Sequence, residues 1–144
     1  MKLKILLLST VGLAIVVVAG AYVQAYFMKK AVAKAMDVAL AKIARPWSKE
    51  AVLERASWAL NASPTTLLDD RIRATTILLG DYVALNAPPD CKLYRGRDGF
   101  SKREYTYAWC FAPVAFKMKS VGVEMNFVWQ QDEWRIDDFK INNN

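Results

Sequence analysis

The chain has 144 residues, a formal net charge of +6, no histidine and two cysteines. The lack of histidine removes the commonest acid–base group and metal ligand, and two cysteines alone cannot build a zinc site, so no metal, cofactor or catalytic residue is predicted. The basic excess lies around an N-terminal apolar run, and the sequence after residue 45 is close to neutral. Nucleic-acid binding is therefore not predicted.

The apolar run extends from Ile5 to Met28 without a charged residue. As a helix, its roughly 24 residues would reach about 36 Å, more than the ~30 Å of a hydrocarbon core. Aromatic residues near its end are typical of a membrane interface; they are Tyr22, Tyr26 and Phe27. This length favours an uncleaved transmembrane anchor at 1–28.

A cleaved secretory signal is the alternative, with small-residue sites at Ala19-Gly20-Ala21 and Val23-Gln24-Ala25. Lysines flank the run on both sides in nearly balanced number, so the positive-inside rule does not clearly fix the orientation of the chain in the membrane. Only four residues precede the run, as in signal-anchors, and the two cysteines can pair. We therefore expect a single-pass membrane protein whose C-terminal domain is exported, in bacterial terms periplasmic.

An amphipathic juxtamembrane helix is predicted at 29–46, continuous with the anchor and ended by Pro46. Its basic face is either attracted to anionic headgroups or simply solvated. Its apolar face comprises Val32, Met36, Ala39, Leu40 and Ile43.

Two further helices open a domain at 47–144. The first has Ser48 as N-cap and is predicted to run through Leu60. Trp58 falls off its apolar stripe, which indicates either a covering loop or a contact with a partner. The second begins at Ser63-Pro64 and ends at Gly80.

From Asp81 the apolar period changes to two, which predicts strands. The predicted strands comprise Tyr82–Leu85, an extended segment from Cys91, and three longer strands that carry Tyr105–Phe111, Val121–Trp129 and Trp134–Ile141. A turn-rich loop is predicted at Arg95–Gly99, and Pro113 is predicted at a bulge or an edge. A shift in the apolar phase predicts a bulge near Asp137-Asp138.

Cys91 and Cys110 are candidates for a disulfide if the domain is exported, and for two buried thiols if it is not. Cys110 is predicted to face away from the aromatic residues of its own strand. Adjacent strands lie about 4.8 Å apart, so a bridge is possible if the two cysteines come opposite one another.

Three segments of the domain carry a resemblance to a known superfamily. They are the closing segment Trp134-Arg135-Ile136-Asp137-Asp138-Phe139-Lys140-Ile141, the strand Met125–Trp129 and the helix start at Trp47-Ser48. These segments resemble the nuclear-transport-factor-2-like, cystatin-like superfamily. The likeness to its small membrane-anchored members implies an α+β fold, with helices packed on a curved antiparallel sheet that forms a cone. The same fold hosts enzymes, ligand binders and interaction modules, so it names no function.

Two functions follow as hypotheses. The first is a non-catalytic interaction or assembly module tethered to the bilayer, with membrane or envelope proteins, or a second copy, as partner. The second is a binder of a small apolar ligand, or an enzyme acting on one, inside an aromatic-lined cone; Asp81 and Tyr107 would be its acid and its companion. The lining residues would be Tyr105, Tyr107, Trp109, Phe127 and Trp129, unless these rings simply fill the core.

Overall fold

The computed structural model describes residues 2–98 and 101–142, with side chains from Leu13 onward. The predicted loop residue Gly99 and the side chains of Lys2 and Lys4 lie outside this part. The fold is α+β: a long helix and three short or medium helices precede an antiparallel sheet of five strands. The elements are α1 Lys2–Ile43, α2 Lys49–Glu54, α3 Trp58–Ala62, α4 Thr65–Leu79, β1 Tyr82–Leu85, β2 Asp90–Arg97, β3 Glu104–Phe116, β4 Ser120–Gln130 and β5 Glu133–Asn142.

Helix α1 is continuous from the apolar run into the amphipathic segment, as predicted. Its 42 residues would extend about 63 Å. The first part is exposed; Val17, for example, is 64% exposed. The apolar face predicted for the second part is buried throughout, from Val32 to Ile43. The second part of α1 is thus a core element of the domain.

The helix predicted after Ser48 is interrupted, which corrects the single helix expected through Leu60. Ser48 does cap α2, accepting the N–H of Ala51. The backbone then bonds to the edge of β5: Ile136 N–H donates to Arg55 O at 2.8 Å, and Ser57 N–H donates to Ile136 O at 2.7 Å. Because these bonds use extended backbone, α2 ends and α3 restarts beyond Ser57, whose hydroxyl accepts the N–H of Leu60.

Helix α4 ends at Gly80, as predicted, and Gly80 has a φ of 70°. This left-handed conformation favours glycine because it has no Cβ. Pro64 lies one position before the first helical residue rather than at it. The chain then enters β1 at the predicted residue.

The sheet has the order β1-β3-β4-β5, and β2 also pairs with β3. Along β3, pairing with β2 ends opposite Phe111 and pairing with β1 begins opposite Val114. Pro113 lies between them and opposite Gly122 of β4; it is not at a bulge, and on its other side β3 has a short unpaired edge between β2 and β1. The carbonyl of Pro113 accepts from Asn86 N–H, and the N and O of a strand residue point the same way. The nitrogen of Pro113, which has no hydrogen to donate, therefore faces the gap between β1 and β2.

The predicted bulge in the last strand is confirmed. Asn126 pairs with Asp138 and Phe127 pairs with Ile136, so Asp137 is the extra residue of β5. One side of the sheet, called here the inner face, packs against α1 and the core. The opposite side is called the outer face.

Candidate functional site

The alternation of burial along β3 fixes which side each residue faces. Ala108, Cys110, Ala112, Val114 and Phe116 are all buried and face inward. Their neighbours in sequence are only partly buried and point to the outer face; they are Tyr105, Tyr107, Trp109 and Phe111. The relative facing of Cys110 was predicted correctly.

The cone lining predicted from the aromatic residues of β3 is therefore wrong for Tyr105, Tyr107 and Trp109. The physical reason lies in the residues between them. Ala108 and Ala112 are small and fully buried, which lets a helix approach the sheet closely, and α1 takes that place with Met36 and Leu40. Rings as large as tryptophan would hold α1 away from the sheet.

The other two predicted lining residues do lie on the inner face. Phe127 is 1% exposed and belongs to the core. Trp129 is half-buried near the end of β4 and packs edge-to-face on Trp134, with ring centroids 5.3 Å apart. Phe127 and Trp129 fill space beside α1. Among the described residues, the five rings predicted to line the cone do not surround a common cavity.

Three aromatic pairs cover part of the outer face. Tyr94 stacks on Tyr107 with centroids 5.5 Å apart, and Trp109 lies nearly parallel to Phe111 at 6.5 Å. Trp58 contacts Tyr105 edge-to-face at 6.3 Å. We call these six residues the outer aromatic face. Tyr94 and Trp58 are each 49% exposed, so the surface is open to solvent.

Two glycines accommodate the rings of this surface. A Cβ at Gly96 would lie 3.0 Å from Cε2 of Tyr107, and a Cβ at Gly122 would lie 2.8 Å from Cε2 of Phe111. The contact at Gly122 is closer than real Cβ atoms come to a ring, and the contact at Gly96 is tighter than most. Each ring thus leans over a neighbouring strand at a place where no side chain opposes it.

Polar groups border Trp109. The Lys92 ammonium lies 5.5 Å from the centre of its indole ring. The indole N–H donates to Glu124 Oε2 at 3.4 Å, and Asn142 Nδ2 donates to Glu124 Oε1 at 2.6 Å. The bonds from Asn142 and Trp109 lower the pKa of Glu124. Trp109 is thereby held by a carboxylate that stays charged.

Two phenols of this face, Tyr94 and Tyr107, hold their protons more tightly than a free tyrosine, because their pKa values are raised. Burial, and secondly the charge of Asp137, raise the pKa values of Tyr94 and Tyr107. Both hydroxyls are therefore neutral near pH 7. Asp137 itself accepts a hydrogen bond from the Ser57 hydroxyl at 2.7 Å.

The suggested acid Asp81 does not accompany Tyr107. Its carboxylate binds Lys117 at 2.7 Å beside the start of β1, whereas Tyr107 stacks on Tyr94. Among the described residues, no group of three or more histidine, cysteine, aspartate or glutamate side chains could hold a metal ion. Asp81 and Tyr107 therefore lie at separate places in the fold.

Cys91 and Cys110 are directly opposite one another on β2 and β3. Their sulfur atoms are joined in a disulfide, and both residues are fully buried on the inner face. The bridge ties β2 to the centre of the sheet and so fixes the strand that carries Tyr94.

Comparison of the chain with protein-family models, curated proteins and solved structures gives no match. Within the part of the chain that the structure describes, the stretch Leu13–Ile43 of α1 is long and apolar enough to cross a membrane. The inference of function therefore starts from that helix and from the outer aromatic face.

Proposed function

We propose that the chain is a membrane-tethered interaction module, and that its exported domain binds a protein partner through the outer aromatic face. The observation that carries this proposal is the set of partly exposed, paired rings on the side of the sheet opposite α1. Exposed apolar patches with polar borders mark interaction sites on soluble domains.

The composition of the outer aromatic face supports a protein partner. Tyrosine and tryptophan are enriched at the centres of interfaces, where they supply large contact areas at a low cost in conformational entropy. The pairing of Tyr94 with Tyr107 restricts both rings before a partner arrives. Lys92, Glu124 and Lys140 supply charges of both signs nearby. A partner with an apolar centre and mixed charges at its border fits this surface, either another envelope protein or a second copy.

The tether and the compartment have separate support. Helix α1 carries an uncharged run from Ile5 to Met28 and continues without a break into the core of the domain. The buried Cys91–Cys110 bridge is typical of an oxidising compartment. Both features favour a single-pass protein with its domain outside the cytoplasm.

We also propose that the domain is nuclear-transport-factor-2-like. The features that support this are helices packed on one side of an antiparallel sheet and a bulged closing strand that carries Ile136 and Phe139 inward.

Membrane fractionation, followed by sizing of a mild-detergent extract, tests the function. We expect the chain in the membrane fraction and in a complex larger than the detergent-bound monomer. Trp109→Ser should release the monomer, whereas Ile77→Ser, at a 66% exposed site on α4, should leave the complex intact. A soluble monomer, or a complex unchanged by Trp109→Ser, would contradict the proposal.

A further inference from the structure

The direction of α1 along the sheet determines which end of the domain faces the membrane. At one end of β3, Ala44 O accepts the N–H of Tyr82 at 2.8 Å, next to Phe116. Further back along α1, the Lys29 ammonium lies 3.6 Å from Asp90, which pairs with Phe111. Helix α1 therefore runs alongside β3, and its N-terminal part leaves the sheet where the β2–β3 hairpin lies.

The last turns of the apolar run pass directly beside that hairpin. One open groove is lined by Ala21, Gln24, Ala25 and Met28 on α1 and by residues from the other side. The residues on the sheet side are Leu93, Tyr94, Arg95, Thr106 and Trp129.

The length of the run then sets the depth of the hairpin. Starting from Ile5, a helix crosses ~30 Å of hydrocarbon in about 20 residues, which ends near Gln24. The groove that Arg95 lines extends along α1 as far as Met28, beyond the end of the hydrocarbon, so the strand that carries Arg95 enters the headgroup layer there. The strand continues toward the membrane to Arg97, which is 74% exposed.

The side chains at this end are predominantly basic. Four basic residues, Arg95, Arg97, Lys102 and Arg103, are all exposed. The acidic residues nearby are Asp98 and Glu104, and Glu104 pairs with Arg97 at 3.2 Å. A guanidinium group cannot enter hydrocarbon without a large cost, but it forms charge-assisted, bidentate hydrogen bonds with phosphate.

We propose that the β2–β3 hairpin binds anionic phospholipid headgroups through Arg95, Arg97, Lys102 and Arg103. This inference rests on the membrane tether in the proposed function and adds a second, lipid-specific contact to it. With the hairpin on the bilayer and α1 crossing it, the domain is held at two points, and the strands stand up from the membrane. The outer aromatic face then points sideways, toward neighbouring envelope proteins.

Photo-crosslinking in nanodiscs tests this contact with the full chain. Benzoylphenylalanine replaces one residue at a time, and the nanodiscs contain both zwitterionic and anionic phospholipid. The test position is Lys102, whose replacement leaves Arg95, Arg97 and Arg103 to bind the headgroups. The matched control is Met118, which is 68% exposed in the turn at the other end of β3. A third position, Val17 on α1, reports the tether itself.

We expect phospholipid adducts at Lys102, enriched in the anionic lipid beyond its share of the nanodisc, and none at Met118. Arg95→Gln and Arg97→Gln should each reduce that enrichment about fivefold, because one basic residue at an anionic surface contributes about 1 kcal/mol. Both side chains are exposed, so the fold should tolerate these changes.

Two results would overturn the proposal. One is the absence of lipid adducts at Lys102 while Val17 gives them, which would leave the tether intact. The other is an adduct composition at Lys102 that matches the bulk lipid and ignores the arginine substitutions. If Val17 also gives no lipid adduct, the tether fails together with this contact.

Discussion

The ring of Phe111 and the backbone of Gly122 lie so close that a Cβ at residue 122 would be 2.8 Å from Cε2 of that ring. Gly122→Ala should therefore push the ring outward. The displaced atoms are the far edge of a partly exposed ring, so the loss of stability should be modest, about 1 kcal/mol. Partner binding should weaken more clearly, because the ring leaves its place beside Trp109. Denaturant unfolding and co-purification of the partner measure the two effects.

A double-mutant cycle with Phe111→Ala provides the control. If the two residues act through this contact, Gly122→Ala should cost little in the Phe111→Ala background. Equal stability losses in both backgrounds would mean that the alanine disturbs the strand pairing instead.

The disulfide should make a large contribution to the stability of the domain. Cys91 and Cys110 are 19 positions apart, and closing a loop of that size is worth about 3 kcal/mol in the unfolded-state model. Cys91→Ala with Cys110→Ala should lower the free energy of unfolding by about that amount; alanine suits a site that is fully buried. Alkylation without reductant, followed by mass measurement, should show no modified cysteine in protein from its native compartment. Two alkylated cysteines would reject the bond and weaken the case for export.

Tyr82 should make the fold sensitive to alkaline pH. Burial, and then its 2.6 Å hydrogen bond to Asp37, raises the pKa of Tyr82 from 10.0 to about 12. Since the folded state keeps this proton more tightly, the stabilisation is complete below pH 10 and is lost as the pH rises toward 12. Tyr82→Phe should lower the stability below pH 10, because it removes the hydrogen bond to Asp37. Above pH 10 the stability of the variant should fall less steeply with pH than that of the parent chain. Unfolding temperatures measured across this range, with tyrosinate absorbance, check both effects; an unchanged slope in the variant would contradict the assignment.

The second part of α1 should be indispensable for folding. Met36 is fully buried against the sheet, so Met36→Ala should cost about 2–5 kcal/mol through lost contacts and a cavity. Val38 lies on the same helix but is 38% exposed, and Val38→Ala should cost far less. Equal losses in denaturant unfolding would mean that α1 packs in another rotation.

Local patterns in the sequence predicted most of the fold. The period of 3.6 placed Val32 to Ile43 on the buried side of α1, and the phase slip after Ile136 predicted the bulge at Asp137. The interruption at Ser57 was not predictable in this way. It depends on backbone bonds to Ile136, which is remote in sequence.

The candidate site was harder to predict for a related reason. Alternation shows that Trp109 and Cys110 face opposite ways, but it does not show which side is the core. Large rings are usually buried, and here the small residues Ala108 and Ala112 face α1 instead. The regular spacing of these two alanines in β3 was the sequence signal that could have identified the side facing the core. Tyr94 was missed because its role depends on the register that pairs it with Tyr107.

The central claim is that the outer aromatic face binds a protein partner, and site-specific photo-crosslinking in native membranes tests it most directly. Benzoylphenylalanine replaces Tyr94, which is 49% exposed on the outer aromatic face, or Ile77, which is 66% exposed on α4. We expect an adduct of one defined protein mass, either a second copy or another envelope protein, at Tyr94 only, and a weaker adduct when Gly122→Ala is also present. No protein adduct at Tyr94, or the same adducts at Ile77, would contradict the proposed function.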